Sequence, residues 1–322
     1  MSVVLLAWVL RGTNLHGLLR EVRAARAAPL AAAVVIATLS FPLRLIRWRL
    51  LLRADDDTPL PVTPLWHAVA MGFMANNLLP FRAGEVIRCY AAAKLTGTRF
   101  AAALSSVVVE RLFDGLTVVS LLAFAFFAAH LPPTVVIGGR PVSVAHAATS
   151  AGALSVVALL LALSVAVWPL AAERLIRRLV PVTGAADRLV AIIEGVRHGF
   201  VALRSPARLA AVAAWSAVIW LVNAAAFYVA FGAFDLPVDY AGALLLQGLL
   251  VFGIAVPSTP GFIGVFEAVI GAVLLLYGVG PDRAAAYALV YHLTTFIPIT
   301  LLGLWSVSRT SIGLGEMRRS AA

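Results

Sequence analysis

The sequence predicts an all-α polytopic membrane protein with about seven to eight transmembrane helices. Of its 322 residues, 62% are hydrophobic and 12% are charged, whereas a soluble domain carries about a quarter charged residues. Apolar runs of helical length recur along the whole chain, and none shows the alternating polarity over roughly ten residues that a transmembrane β-strand requires. Composition and periodicity therefore indicate a helical bundle in a membrane.

Seven apolar runs approach or reach the length that spans a bilayer as a helix. They are 30–51, 104–129, 147–170, 209–231, 241–256, 262–277 and 284–307. Residues 1–10 are also apolar but give only about 15 Å of helix, so they either lie short in the membrane or belong to a span that starts earlier. Residues 14–26 combine leucines and arginines at helical spacing, which indicates an interfacial amphipathic helix. No cleavable signal peptide is expected before them.

The chain is predicted to form a single transmembrane domain, 1–322, with one polar interruption in each half. The first half, about 1–170, contains the segment 65–88, whose apolar part is too short to cross comfortably and is predicted to be re-entrant. The second half, 209–307, contains a hairpin, 241–278, that is predicted to be broken within the membrane. Pseudo-symmetric inverted repeats are one architecture that produces such a pair of interruptions.

Loop charges predict the orientation of the chain. The segment 171–208 carries seven arginines against three acidic residues, which predicts a cytoplasmic amphipathic loop, and the tail, 308–322, is predicted to be cytoplasmic too. If 65–79 is re-entrant, the arginines of 44–53 are also cytoplasmic, but those of 11–26 lie outside, against the positive-inside rule. If 65–79 crosses fully, these two groups exchange sides. The re-entrant arrangement is preferred.

Polar residues are concentrated at 76–88, where the hydropathy pattern predicts membrane. A second charged group lies at 110–114, and a third polar stretch, 257–267, interrupts the second half. The ionisable residues of these stretches are Arg82, Glu85, Arg88, Glu110, Arg111, Asp114 and Glu267. At about 3 kcal/mol each, leaving them all against lipid costs on the order of 20 kcal/mol, which exceeds the roughly 5 to 15 kcal/mol net stability of a protein. They must therefore lie near an interface, pair with one another, or line a wet cavity.

Two interpretations of these charges stay open. Residues three or four apart on a helix are neighbours, so local ion pairs that pin helices together are available. They are Arg82 with Glu85, Glu85 with Arg88, and Arg111 with Asp114, while Glu110 and Asp114 share one helix face. The other interpretation is a path for a polar headgroup or an ion, which is favoured because pairing alone does not explain why the charged stretches accompany helix breaks.

The breaks are carried by prolines and glycines in otherwise apolar segments. They are Pro80 and Gly84 in the first half, and Pro257, Pro260, Gly261 and Gly264 in the second. Non-helical backbone at membrane depth is tolerated only against protein or a water-filled cavity, and a broken helix presents free N–H groups and a positive dipole end to anions. The two breaks are predicted to enter from opposite faces. Gly261 and Gly264 can alternatively serve close helix packing.

No recognisable catalytic, metal or cofactor motif is present. The six histidines and the single cysteine show no metal-ligand spacing, and neither a Walker loop, a dinucleotide fingerprint nor a nucleophile elbow occurs. We therefore expect no metal, no cofactor and no catalytic residue, and we do not expect an enzyme. The formal charge of +10 comes from arginines that fall mostly at helix ends, which favours headgroup anchoring over nucleic-acid binding.

The polar stretches at 77–88, 110–114 and 257–267, together with the run at 45–51, resemble the signature blocks of the lysylphosphatidylglycerol synthase transmembrane-region family, also called flippase-like membrane proteins. The resemblance covers nearly the whole chain and implies a bacterial or archaeal plasma-membrane protein with re-entrant helices that moves or handles polar lipids. In the full-length synthases a soluble aminoacyl-transferase domain follows the membrane region. This sequence ends shortly after its last apolar run, so aminoacylation is not expected here.

The leading hypothesis is a flippase-like protein that translocates or binds a polar phospholipid or glycolipid across the plasma membrane, with its C-terminus cytoplasmic. The residues expected at the lipid headgroup are Asn77, Arg82, Glu85, Arg88, Glu110, Arg111, Asp114 and Glu267. Among them the arginines suit a phosphate group, and the acidic residues would balance charge or gate the path.

Two other classes of function are weighed against it. One is a membrane-embedded lipid-modifying enzyme with Glu85 or Asp114 as general base, for which no paired nucleophile and base is recognisable. The other is a structural or regulatory partner of a membrane complex. Membrane lipids are the expected partners, nucleic acid is not, and a second copy of the chain or a lipid-synthesis enzyme is the expected kind of protein partner.

Overall fold

The computed structural model describes residues 13–79, 83–131, 134–137, 140–143, 149–150, 153, 157, 205–255, 260–313 and 315–316. Several predictions fall on residues outside these ranges. They are the short apolar segment 1–10, the break residues Pro80 and Pro257, the headgroup residue Arg82, and nearly all of the predicted span 147–170 and of the predicted loop 171–208.

The described residues are helical apart from one short hairpin. The helices are α1 (Leu15–Ala24), α2 (Ala27–Leu51), α3 (Val62–Leu78), α4 (Gly84–Thr96), α5 (Phe100–Ala128), α6 (Pro206–Phe231), α7 (Tyr240–Ala255), α8 (Val265–Leu276) and α9 (Pro281–Ser308). Single 3₁₀ turns occupy Gly232–Phe234 and Pro260–Phe262. Strands β1 (Thr134–Ile137) and β2 (Arg140–Ser143) pair antiparallel and are a small addition to the predicted helical fold. Gly138 and Gly139 separate their β-branched residues, and this pattern is a hairpin signal.

Four helices of the described residues are long and apolar enough to cross a membrane. They are α2, α5, α6 continued through its 3₁₀ turn, and α9. The predicted runs 241–256 and 262–277 correspond to α7, with 16 residues, and α8, with 12, which are shorter than a spanning helix of about 20. The described residues thus have a multi-helix membrane architecture with four candidate spans, and the number of seven to eight stays a prediction, because nearly all of the predicted span 147–170 lies outside them.

Helices α2 and α6 are antiparallel neighbours, and ion pairs mark both of their ends. Arg208, at the start of α6, makes two hydrogen bonds to Asp57, which follows α2. At the opposite end Arg26, just before α2, pairs with Asp235, which follows α6. We use these pairs to name the Arg208 end and the Asp235 end of the bundle.

Helices α5 and α9 run between the same two ends in opposite directions. Arg99, before α5, pairs with Asp55 at the Arg208 end, and His130, after α5, contacts Asp239 at the Asp235 end. Helix α9 begins at the Asp235 end, where Asp282 accepts a hydrogen bond from the backbone N–H of Asn14, just before α1. Antiparallel to α9 lies α3, as the contact between His67 and Trp305 indicates.

Helices α3 and α4 form a hairpin, hairpin A, whose outer ends both lie at the Arg208 end. Its helices are in close contact, because a Cβ placed on Gly84 would lie 2.0 Å from the carbonyl oxygen of Gly72. The side-chain oxygen of Asn76 accepts a hydrogen bond of 3.0 Å from the Gly84 N–H. Glycine at 84 is therefore required by contact, and Asn76 satisfies one of the free N–H groups at the start of α4.

Helices α7 and α8 form hairpin B, whose outer ends both lie at the Asp235 end. Near these ends the Tyr277 hydroxyl lies 2.6 Å from where a Cβ on Gly242 would stand. At the tip, Gly261 and Gly264 have φ of 67° and 91°, values that favour glycine. A Cβ on Gly261 would also lie 3.3 Å from the carbonyl oxygen of Asn77. The tips of the two hairpins, which are open at opposite ends of the bundle, therefore meet each other.

Apolar packing surrounds these hairpins on two sides. One core cluster joins α2 with both helices of hairpin A around Trp48 and Phe41, and the other joins α9 with α6 and hairpin B around Tyr287. The described polar interior lies between α2, α4, α5 and α6, and its contents form the candidate site.

Candidate functional site

Seven charged residues from three helices form one connected ion-pair network, which we call the charged cluster. Its members are Arg44 and Arg47 on α2, Glu85 and Arg88 on α4, and Glu110, Arg111 and Asp114 on α5. Four guanidinium groups against three carboxylates leave one net positive charge. Helix α5 supplies its three residues because positions 110, 111 and 114 lie on adjoining faces of one helix.

Glu110, like Arg47, has no exposed surface. Its Oε1 and Oε2 accept hydrogen bonds of 2.8 and 3.0 Å from the two Nη atoms of Arg88. Arg47 Nη2 lies 3.2 Å from Oε1. Two-pronged arginine–carboxylate pairs of this kind are among the strongest protein hydrogen bonds, so Glu110 fastens α2 and α4 to α5.

Asp114 has a different set of partners one helical turn further along α5. Arg47 Nη1 donates to its Oδ1 at 2.5 Å, and the indole N–H of Trp220 donates to the same oxygen at 2.9 Å. Arg111 Nη1 lies 3.3 Å from Oδ2. Arg47 also donates to Ser216 Oγ at 2.7 Å. Helix α6 thereby joins the network through a tryptophan and a serine that carry no charge.

Trp48 packs its indole ring against the Arg88 side chain of the cluster. The Arg88 guanidinium carbon lies 3.7 Å from the centre of the indole ring, a cation–π contact that is strongest where water is excluded. The indole N–H donates to Ser106 Oγ at 2.9 Å. Trp48 has no exposed surface, and its N–H group is hydrogen-bonded. The indole ring is therefore held in place and orients Arg88.

Arg111 and Glu85 form the accessible edge of the cluster. The Arg111 side chain is 34% exposed and that of Glu85 is 27% exposed, while Arg47 is fully buried. Arg111 lies 3.2 Å from Glu85, 3.5 Å from Glu110 and 3.3 Å from Asp114. These separations are longer than the strong pairs of Arg47 and Arg88. Arg111 is therefore the arginine of the described cluster that can turn toward a ligand with least disruption.

Arg44 is buried but poorly satisfied. Its Nη1 is 3.9 Å from Asp114 Oδ2, and its guanidinium lies between the rings of Phe73 and Trp220 at 5.3 and 5.6 Å. Within the described ranges it donates no hydrogen bond, and its Nε has no partner. A buried charge without hydrogen bonds is unfavourable, so Arg44 is the least well compensated of the four arginines in the cluster.

A cavity of about 370 Å³ lies beside the accessible edge of the cluster, between α5, α6 and α7. It falls within the size range of ligand pockets, about 300 to 1,000 Å³. Its lining is Arg111, Leu112, Asp114, Gly115, Leu116, Val118, Val119, Trp220, Val251, Phe252, Ile254 and Ala255. Phe252 is 51% exposed, so the cavity opens to the outside of the bundle. Its walls are apolar and its polar end is the charged cluster.

The structure brings together five of the residues expected at a headgroup. They are Glu85, Arg88, Glu110, Arg111 and Asp114. The predicted contact of Arg111 with Asp114 is present at 3.3 Å, whereas Arg88 reaches across to Glu110 on another helix. Pairing between helices outweighs local pairing because side chains on α4 and α5 face each other across the buried interface.

Asn77 and Glu267 lie apart from the charged cluster, at the hairpin tips. Asn77 Nδ2 donates to Thr300 Oγ1 at 2.9 Å and to the Phe296 carbonyl at 3.3 Å, which ties hairpin A to α9. Glu267 contacts His292 on α9 at 2.5 Å. The described residues that were expected at one headgroup site thus lie in two places, the charged cluster and the hairpin tips, and their role stays a prediction.

Sequence reasoning missed Arg44 and Arg47, which it assigned to a cytoplasmic group of helix-end arginines. They are 6% and 0% exposed and belong to the cluster. A signal was present: Arg44 and Arg47 lie three residues apart within the apolar run 30–51, so they share one face of a helix. Trp220 was missed as well, because one tryptophan in an apolar helix carries no distinguishing pattern.

The family profile of the lysylphosphatidylglycerol synthase transmembrane region matches residues 1–303 of the chain. Among curated proteins, the chain is 29% identical over 292 residues to "Glycosyltransferase AglD" of Haloferax volcanii, covering 82% of this chain and 46% of that protein. It is 24% identical over 292 residues to a "UPF0104 membrane protein" of Methanothermobacter thermautotrophicus, covering 85% of this chain and 81% of that one. The chain thus spans less than half the length of the first of these relatives.

No solved structure matches the chain. The family match nevertheless agrees with the apolar helices and the charged stretches described above, and it identifies a multi-pass membrane protein. Because the matched region covers nearly the whole sequence, the chain belongs to the lysylphosphatidylglycerol synthase transmembrane-region family.

Proposed function

We propose that the protein binds a polar lipid, either a phospholipid or a glycolipid with a phosphate group, and translocates it across the plasma membrane. This proposal rests on one observation. The charged cluster, which has one net positive charge, lies at one end of an apolar cavity that opens to the outside of the bundle. Such a cavity suits a ligand with a charged head and an apolar tail.

The arginines of the cluster have different roles in this proposal. Arg47 and Arg88 are buried in strong pairs and hold α2, α4 and α5 together. Arg111 lines the cavity and is partly exposed, so it is the residue that contacts the lipid phosphate. A lipid phosphate would replace Asp114 as a partner of Arg111. When a phosphate binds Arg111, Asp114 retains Arg47 and Trp220 as partners.

The two hairpins supply the path. We propose that hairpins A and B are re-entrant segments that enter the membrane from opposite faces as inverted repeats within a bundle of seven to eight spans. Their tips meet at Gly261 and Asn77, and non-helical backbone at that depth is compatible with a wet passage beside protein. Relative movement of the two tips would open the headgroup path toward one face at a time.

The Arg208 end is proposed to be cytoplasmic, which places the C-terminus inside. That end carries Arg53, Lys94, Arg99, Arg208 and Arg309 among its described residues. Arg20, Arg23, Arg26 and Arg283 lie at the opposite end, against the positive-inside rule. The proposed orientation rests on the larger group of cations at the Arg208 end.

A lipid-modifying enzyme is the second candidate, and the name of the glycosyltransferase relative favours it. The same relative supports a glycolipid as one substrate class for translocation. As a general base, however, Glu85 or Asp114 would have to give up an arginine partner before accepting a proton. A second copy of the chain or a lipid-synthesis enzyme is the proposed protein partner, and it would deliver or remove the lipid.

The test is lipid translocation by the purified protein in liposomes that contain fluorescent phospholipid or polyprenyl-phosphate sugar. We expect the wild type to accelerate translocation of at least one of them, and Arg111→Gln to lower that rate at least tenfold. Arg283→Gln is the matched control, because Arg283 is exposed and pairs with Glu21 at 3.1 Å, away from the cavity. Equal rates for the wild type and Arg111→Gln with every lipid would refute the proposal. Covalently altered lipid would instead favour the enzyme.

A further inference from the structure

Glu267 on α8 and His292 on α9 form a buried pair that is separate from the charged cluster. Glu267 Oε1 lies 2.5 Å from His292 Nδ1, and Oε2 accepts a hydrogen bond of 2.7 Å from the Gly264 N–H. The two residues are 2% and 8% exposed. Phe266 stacks on the imidazole with ring centres 4.1 Å apart. Both carboxylate oxygens are thus engaged, and the surroundings are apolar.

The partner of Glu267 sets it apart from the other buried carboxylates of the described residues. Glu110 and Asp114 are held by arginines, whose charge does not change in proteins. An imidazole, by contrast, gains and loses a proton near neutral pH. Among the described buried acids, Glu267 is therefore the one whose partner gains or loses a positive charge when it binds or releases one proton.

Two charge states of the pair follow from this geometry. When the imidazole is neutral and donates its Nδ1–H to Glu267, the pair carries one negative charge. When Nε2 also binds a proton, the pair becomes a neutral ion pair. A lone negative charge is unfavourable in an apolar, low-dielectric interior. The closed, buried arrangement therefore favours the protonated pair, and an arrangement that admits water favours release of the proton.

No described helix around the pair brings another charge to it. Helix α7 carries one titratable side chain, Tyr240, at its far end, and α8 carries Glu267 alone. On α9 the nearest titratable groups are Tyr287 and Tyr291, which are neutral near pH 7 and stack on each other at 5.7 Å. Hairpin A contributes the neutral amide of Asn77. As far as the described residues are concerned, the charge of this region is therefore set by the pair itself.

The pair also holds the tip of hairpin B. Through Gly264, Glu267 fixes a backbone with φ of 91° at the start of α8. Three residues earlier, Gly261 packs against Phe296 and the Asn77 carbonyl of hairpin A. A change in the charge of Glu267 and His292 therefore acts on the contact between the two tips.

We propose that Glu267 and His292 form a proton-binding site that couples the uptake of one proton to the position of the hairpin B tip. The pair takes the proton from water on the side to which the tip is open, is neutral while the tip is closed, and releases the same proton to water on the other side when the tip opens there. The coupling to lipid rests on the proposed function, because the tip borders the proposed headgroup path. Proton binding itself does not depend on that function.

Infrared difference spectroscopy of the protein in nanodiscs, recorded between pH 5 and pH 8 (roughly the range in which histidine titrates), tests the proton site without any transported lipid. Among the signals of the six histidines, we expect one titrating imidazole component to be lost in His292→Gln and to be displaced by at least one pH unit in Glu267→Gln. His67→Gln is the control, because His67 is equally buried at 8% but packs on Trp305. A titration that survives in His292→Gln unchanged would overturn the proton site.

Liposomes with an imposed pH gradient test the coupling. One coupled proton corresponds to up to about a tenfold shift in the distribution of lipid between leaflets for each pH unit, reversing with the gradient. We expect this shift in the wild type and in His67→Gln, and its loss in His292→Gln and Glu267→Gln with exchange retained. Translocation that ignores the gradient in the wild type would overturn the coupling while the proposed function stands. A titrating pair without any translocation would refute the function and leave the proton site.

Discussion

Arg88 and Glu110 are joined by two parallel hydrogen bonds of 2.8 and 3.0 Å, and this pair attaches hairpin A to the long helix α5. Both side chains are almost fully buried. Because a buried ion pair is costly when one partner is lost, the pair gives direct control over how hairpin A sits in the bundle.

Removing one side of that pair is predicted to destabilise the protein strongly. Arg88→Ala removes both of the Arg88 hydrogen bonds to buried Glu110 and leaves it only the longer pairs with Arg47 and Arg111, so we expect a loss of about 3 kcal/mol in the free energy of unfolding. Unfolding in mixed detergent micelles measures it. The double variant Arg88→Leu with Glu110→Leu should recover a large part of the loss. Arg99→Ala, whose side chain is 78% exposed, should change stability by no more than about 0.5 kcal/mol.

The sequence could predict α5 from the apolar run 104–129, and the predicted break at Pro80 and Gly84 lies between the two helices of hairpin A. It could not predict that Arg88 pairs with α5 and not with its own helix, since this depends on how two helices are packed. Arg47 shows the same limit: its position near a helix end is typical of a headgroup anchor, yet the approach of α6 encloses it. Contacts between distant segments decide such cases.

Trp48 is predicted to stabilise the charged cluster through both its ring and its N–H. Trp48→Phe keeps an aromatic face under Arg88 but loses the hydrogen bond to Ser106, so we expect a loss of about 1 to 2 kcal/mol in stability. Trp48→Leu loses both interactions and should cost about 1 kcal/mol more. Equal stabilities of the two variants in the same unfolding assay would show that the cation–π contact contributes nothing.

Gly84 is predicted to tolerate no side chain. A Cβ at this position would lie 2.0 Å from the Gly72 carbonyl, and the backbone of α3 would have to move. Gly84→Ala should therefore lower the thermal unfolding temperature and the yield of folded protein. Gly115→Ala is the control, because a Cβ there meets nothing within 4 Å and alanine favours a helix over glycine by roughly 1 kcal/mol. Matching losses in both variants would show that helix packing at Gly84 is not the cause.

An ion pair in the loop between α2 and α3 gives a prediction about pH. The hydrogen bonds from Arg208 hold the pKa of Asp57 below its usual value. A carboxyl whose pKa is lowered by folding stabilises the folded state above its unfolded pKa, about 3.9, and this contribution is lost as the pH falls through the folded value. The unfolding temperature of the wild type should thus exceed that of Asp57→Asn at pH 7, and the difference should shrink below pH 4. A constant difference across this range would contradict the role of the charge.

Filling the cavity is predicted to stop lipid binding without unfolding the protein. Gly115 lines the cavity beside Asp114 and has free space around it. The phenylalanine ring of the Gly115→Phe variant can therefore fill the cavity in which the lipid tail is proposed to lie. We expect translocation and lipid-dependent thermal stabilisation to fall at least tenfold, while the unfolding temperature in pure detergent stays within a few degrees. Leu293→Phe is the control for added bulk, because Leu293 is 56% exposed on α9, away from the cavity. If Gly115→Phe translocates lipid at the wild-type rate, the tail lies elsewhere, and only the charged cluster would remain as support for the headgroup site.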